Sequence, residues 1–172
     1  MRPRHLLAGL ALLALLAALT VHASPLPQLP NYQAVGSGTL RYFGLHLYDA
    51  TLWSPRGVWS AGGPFALELR YARSFGGAAI ARRSIEEIRS QRDYPAATLA
   101  RWEQRLRALF PDVNAGDRLI GVRMPGKGVA FYSATRRLGQ IEDEAFANAF
   151  FDIWLHPSTR VPDLRARLLG AT

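Results

Sequence analysis

One glycine constrains this chain more than any other feature. It stands inside "TLRYFGLHLYDATLW", Thr39 to Trp53. A single strand through this stretch would set Arg41, Phe43, Leu45 and Leu47 on one face. Tyr42, Gly44, His46 and Tyr48 would fall on the other, mixing polar with apolar side chains on both. Folding back at Phe43-Gly44 through a two-residue turn sorts them. Tyr42 then opposes Leu45, Leu40 opposes Leu47, Arg41 opposes His46 and Thr39 opposes Tyr48, and opposed residues share a face. One face becomes Leu40, Tyr42, Leu45 and Leu47, and the other Thr39, Arg41, His46 and Tyr48. Gly44 supplies the positive φ that the turn requires. The polar face has two readings. It is a solvent-facing surface, or it is the floor of a cleft where Arg41, His46 and Tyr48 meet an anionic or hydroxylated ligand. Arginine suits a carboxylate because its planar fork donates two parallel hydrogen bonds.

The pattern continues as strands, then helices, then strands, then helices. "FALELRYAR" alternates, with Phe65, Leu67, Leu69 and Tyr71 on one face and Glu68 and Arg70 on the other. Gly76-Gly77 ends it. A helix follows with Ala78, Ala81, Ile85 and Ile88 at helical spacing. A second opens at Pro95 with a stripe of Leu99, Trp102, Leu106 and Leu109, closed by "FPD". Strands return over Asp117–Ile141 with a turn at "PGKG". Val129 and Ala130 follow that turn rather than a hydroxyl residue and a helix, so it is a hairpin turn and not a phosphate cradle. Asp143 reads as the N-cap of a helix carrying Phe146, Phe150, Ile153 and Trp154, and Pro162–Leu169 as a last short helix ended by Gly170. This order predicts an α+β fold, an antiparallel sheet covered by helices on one side.

The N-terminus reads as an export signal: basic "MRPRH", an apolar run from Leu6 to Val21, and "VHA" with a cut after Ala23. The alternative is an uncleaved anchor. Residues 24–34, with "SPLPQLP", form an extended leader that proline keeps from being helical, and residues 35–172 form the domain. The expected location is periplasmic or secreted. The chain has no cysteine, which excludes disulfides and Cys-ligated metal. Its formal net charge is +8, yet the positives are scattered arginines with Lys127 the sole lysine. With export expected, nucleic acid is not an expected partner.

Catalytic and metal chemistry find little support. Beyond the signal the histidines are His46 and His156, without metal-ligand spacing. There is no Gly-x-Ser-x-Gly elbow. Glu86 and Glu87, adjacent on a helix, diverge. No catalytic residue, metal or cofactor is expected.

Four segments, "VGSGTLRYFGLHLYDATLW", "LELRYARSFGGAAIARRSIEEI", "GDRLIGVRMPGKGVAFY" and "FANAFFDIWLHPSTRVPDLRARLLG", together resemble the exported bacterial chalcone isomerase-like proteins over Val35–Gly170. The resemblance implies an open-faced β-sandwich of the chalcone isomerase type, with a ligand cleft between sheet and helices. It does not carry the plant enzyme's chemistry. By the resemblance that enzyme's arginine falls near Gly36 or Ser37, its threonine at Tyr48, its lysine near Ala72 or Arg73, its tyrosine near Ile80 and its asparagine near Glu87. The plant fatty-acid-binding members hold a carboxylate with an arginine and a tyrosine, which Arg73 or Arg82 with Tyr48 would imitate. The resulting expectation is a non-catalytic exported binding protein for a small amphipathic, fatty-acid-like ligand, with Arg41, His46, Tyr48, Arg73 and Arg82 as its polar contacts. The alternatives are an isomerase or lyase with a different site, and a basic module making peripheral contact with a membrane or another envelope component.

Overall fold

The structure is a computed structural model that describes Leu29 and residues 31–171. The expected signal and its cleavage site lie outside the described residues, as does most of the Pro-rich leader.

Six strands, β1 (Tyr32–Tyr42), β2 (Leu45–Pro55), β3 (Phe65–Tyr71), β4 (Arg118–Met124), β5 (Gly128–Ser133) and β6 (Arg137–Ile141), form one antiparallel sheet in sequence order. β1 begins at Tyr32, so the last residues assigned to the leader belong to the sheet. Helices α1 (Gly77–Gln91) and α2 (Ala96–Leu109) are inserted between β3 and β4. α3 (Glu144–Leu155) and α4 (Pro162–Leu168) follow β6. The helices cover one face. The main core joins Phe65, Leu67, Leu69 and Tyr71, the face that alternation assigned, to buried residues of all four helices. A smaller apolar cluster on the opposite face contains Ala66, Ile120, Val122 and Ala130 and no helical residue. This is the α+β, open-faced arrangement that the element order predicts.

Local chemistry explains the connections. Asp143 caps α3, accepting from the Phe146 amide at 3.0 Å and from the Trp102 indole at 2.9 Å, which ties α2 to the start of α3. Gly77 opens α1 pressed against the backbone of Phe110, where a Cβ would overlap the carbonyl. Its amide donates to Asp112 at 2.8 Å, so the "FPD" that ends α2 also caps α1. "PGKG" is a turn, with the Lys127 amide donating to the Met124 carbonyl at 2.8 Å.

The β1–β2 hairpin turns at Phe43-Gly44, with φ of 47° and 78°. Tyr42 pairs with Leu45 and Arg41 with His46 as expected, but then the register shifts. Leu40 pairs with Tyr48 and Thr39 with Asp49. The shift leaves one extra β2 residue, Leu47, between the pairs, as in a β-bulge. This corrects the expected register. From Tyr48 onward every side chain changes face. Tyr48 joins Leu40 and Leu47 on the helix-covered side, and Asp49 takes its place among the polar residues. There it accepts from Thr39 Oγ1 at 2.6 Å and lies 3.0 Å from His46 Nε2.

Candidate functional site: a cavity between sheet and helices

Packing between the layers is incomplete. A cavity of about 650 Å³ remains there, a volume ordinary for small-molecule sites. Leu67, Leu69 and Tyr71 of β3 form its floor, and Ile80 of α1 with Phe150 and Ile153 of α3 its roof. Its lining also contains Arg41 and Tyr48 from the hairpin, Arg83 and Glu87 from α1, and Arg160 from the α3–α4 turn. The three arginines are exposed, so they border the opening.

The bulge is what places Tyr48 in this cavity. The Trp154 indole N–H donates to its hydroxyl oxygen at 2.9 Å. Since indole only donates, the tyrosine's own hydrogen stays available, and among the described residues it has no acceptor. Burial pushes the Tyr48 hydroxyl far above the usual phenol range, an effect that the Trp154 bond offsets only in part. Tyr71, whose ring centroid lies 6.0 Å away, is raised by burial and further by Tyr48. Both groups therefore stay protonated: they are hydrogen-bond donors rather than bases.

The arginines differ in their commitments. Arg83 forms an ion pair with Glu87, whose side chain is 14% exposed, and lies 3.5 Å from Glu86. Arg41 and Arg160 have no hydrogen-bond or ion-pair partner among the described residues. A carboxylate entering the opening would thus meet two uncommitted guanidinium groups and a hydroxyl donor.

Of the residues singled out from the sequence, Arg41 and Tyr48 line the cavity. His46 does not, because it is held by Asp49 on the hairpin's polar face. Arg73 is exposed just beyond the end of β3 and outside the cavity. Arg82 is turned to solvent, 3.9 Å from Glu86. It lies one residue from Arg83, and consecutive helical residues do not share a face. Arg83, Glu87 and Arg160 were missed. For the first two a signal existed: Ile80, Arg83, Ser84 and Glu87 recur at i, i+3, i+4 and i+7, a second stripe beside the core stripe of Ala81, Ile85 and Ile88. Arg160 lies in an irregular turn and had none. Of the positions matched to the plant enzyme's site, Tyr48, Ile80 and Glu87 line the cavity. Gly36 lies against the end of α4 instead.

No curated relative matches the sequence. Among solved structures, a fatty-acid binding protein of Arabidopsis thaliana superposes with a TM-score of 0.62 at 10% sequence identity, over 81% of this chain and 87% of that one. At such identity the likeness concerns the fold. A family profile described as chalcone isomerase-like matches residues 31–170, nearly the whole described structure. The chain therefore belongs to the chalcone isomerase-like family.

Proposed function

We propose that this protein binds an amphipathic carboxylate, of the long-chain fatty-acid class, in the cavity between its sheet and helices. One observation carries the reading: an apolar cavity of about 650 Å³ whose lining includes two arginines without partners and a tyrosine hydroxyl without an acceptor. Apolar walls take the chain, and the charged opening takes the head group. The Arabidopsis protein of the same fold, a fatty-acid binding protein, supports the assignment. Tyr48 and Tyr71 stay protonated, and the resemblance sets the plant enzyme's tyrosine near Ile80, which has no polar group. These features favour holding a ligand over closing a chalcone.

The test is titration of a fluorescent fatty acid such as cis-parinaric acid into wild type, Arg41→Ala, Arg160→Ala, Tyr48→Phe and Arg73→Ala. A hydrogen bond to a charged group contributes about 1.5–3 kcal/mol. Loss of the arginine that holds the carboxylate should therefore weaken binding by about ten- to a hundredfold. Arg73→Ala should bind as wild type does. Equal affinity in all five proteins would place the ligand elsewhere.

Export belongs to the same proposal, supported by the basic start, the apolar run and "VHA" in the sequence. N-terminal sequencing of protein from the exporting host is expected to begin at Ser24. A chain beginning at Met1 would make it an anchored protein instead.

A further inference from the structure

The tip of the β1–β2 hairpin places apolar side chains in water. Among the described residues the exposed large hydrophobics are Phe43 at 89%, Val58 at 75%, Tyr42 at 58% and Leu45 at 51%. Three of them surround one turn. Val58 lies past the other end of β2, roughly 35 Å away at a strand's rise of about 3.3 Å per residue. The turn conformation makes the choice of residue more telling. Two-residue hairpin turns with positive φ at both positions favour Asn-Gly. Here Phe43 occupies the first position at φ 47°, where a Cβ is disfavoured. Among the described residues its only ring contact is with Tyr42, itself exposed, edge-on with centroids 4.5 Å apart. Phe43 therefore combines an unfavourable backbone conformation with almost complete exposure, and it packs against no core residue.

The charges behind the tip indicate what would cover it. Arg41 directly precedes Tyr42, and Arg160 borders the same opening. Both are exposed and neither has a partner among the described residues. The acid on the hairpin, Asp49, is engaged by Thr39 and His46. An apolar tip backed by uncommitted arginines matches the layering of an anionic bilayer, with apolar interior below and phosphate above. We propose that Tyr42-Phe43-Gly44-Leu45 is a docking element for anionic lipid bilayers. Arg41 and Tyr42 also line the cavity, so docking brings the cavity's opening to the lipid surface. An amphipathic ligand could then pass between bilayer and protein with little exposure to water. That transfer step rests on the ligand-binding reading; the docking itself does not.

The experiment is co-sedimentation of the chain beginning at Ser24, which keeps every described residue, with phosphatidylcholine vesicles with and without phosphatidylglycerol. Wild type is expected to partition onto the anionic vesicles, and less so in high salt or onto phosphatidylcholine alone. Phe43→Asn restores the favoured turn sequence, so it should melt no lower than wild type. Its partitioning should nevertheless fall by about tenfold or more, the effect of one large apolar side chain. Leu45→Ser should weaken partitioning in the same direction. Phe43 does not line the cavity, so parinaric acid binding without vesicles should be unchanged in Phe43→Asn. Absence of wild-type partitioning, or equal partitioning of Phe43→Asn, would overturn the proposal. So would a dimer, dissolved by Phe43→Asn, in a protein that ignores vesicles. Tip-dependent partitioning with no parinaric acid uptake would uphold docking and sink the ligand-binding reading, so the two failures are distinguishable.

Discussion

The space between sheet and helices has a filled half and a hollow half, built by the same layers. In the filled half Trp102, Phe131 and Phe146 are almost completely buried. Their rings interlock edge to face, with centroids 5.5 Å apart for Trp102–Phe146 and 6.5 Å for Phe131–Phe146. In the hollow half the side chains that face each other across the layers include Ile80 and Ser84 from α1 and Leu67 and Leu69 from the sheet, none of them a ring. Phe131 and Phe150 form the partition between them. They pack against each other at 5.3 Å, Phe150 stacks on Phe146, and both line the cavity. Aromatic rings thus fill one end of the interlayer space, whereas at the other Ile80 and Ser84 of α1 face Leu67 and Leu69 across open space that rings such as Tyr48 and Tyr71 border without filling. Stability should reside mainly in the first half and binding in the second.

The most severe way to break this comparison is Phe146→Ala. Truncating a fully buried phenylalanine costs about 3–5 kcal/mol, and Phe146 is 0% exposed among three aromatic neighbours. Urea denaturation should show a loss of that size, while any protein that remains folded keeps its affinity for parinaric acid within a few-fold. A large fall in affinity at intact fold would show that the two halves are not separable.

The converse substitution is Ile80→Trp, which places a large ring in the hollow half. Adding volume to a packed core typically costs about 1–3 kcal/mol. Here the space already exists, so the melting curve should move little. Binding should fall by about a hundredfold, because the ring would occupy the ligand's volume. A strongly destabilised Ile80→Trp, with the cavity then shown to be closed in solution, would mean that the hollow half is packed after all.

Legibility in the sequence follows the same division. Helix stripes, the Asp143 cap, the "PGKG" turn and the Phe43-Gly44 turn were readable because each depends on neighbours within a few residues. The bulge at Leu47 was not. Nothing in "LHLYD" marks which residue is extra, yet that one residue carries Tyr48 from the polar face into the cavity. Glu68 shows the same limit. Alternation assigned it to a polar face, but it is buried beneath an ion pair with Arg118 at 3.2 Å and a hydrogen bond from Trp53 at 3.1 Å, partners contributed by other strands. Burial raises its carboxyl pKa, with Arg118 and Trp53 acting against the rise. The close approach of Gly36 to the end of α4 joins residues more than a hundred positions apart. The layers were legible; the side chains that bound the hollow half depended on contacts that form only after the layers meet.

The smallest expected effect tests the opening itself, through neighbours on α1. Glu87 lines the cavity and holds Arg83, so a ligand carboxylate that approaches Arg83 also approaches a negative charge. Glu87→Gln removes that charge and keeps the side chain's shape. Arg83 would remain near the more exposed Glu86 at 3.5 Å, but its field toward the cavity would no longer be cancelled from within. Charge pairs of this exposure contribute about 0.2–1 kcal/mol, which corresponds to affinity for a fatty acid rising by about 1.4- to fivefold. The methyl ester of the same chain has no charge to repel, and its affinity should not move. Arg82→Ala, one residue away on the solvent side, should change neither. If Glu87→Gln weakened fatty-acid binding instead, the Arg83–Glu87 pair would be a support that holds the guanidinium in place rather than a competitor for it. If ester and acid gained equally, the effect would come from relief of desolvation in the wall rather than from charge at the head group.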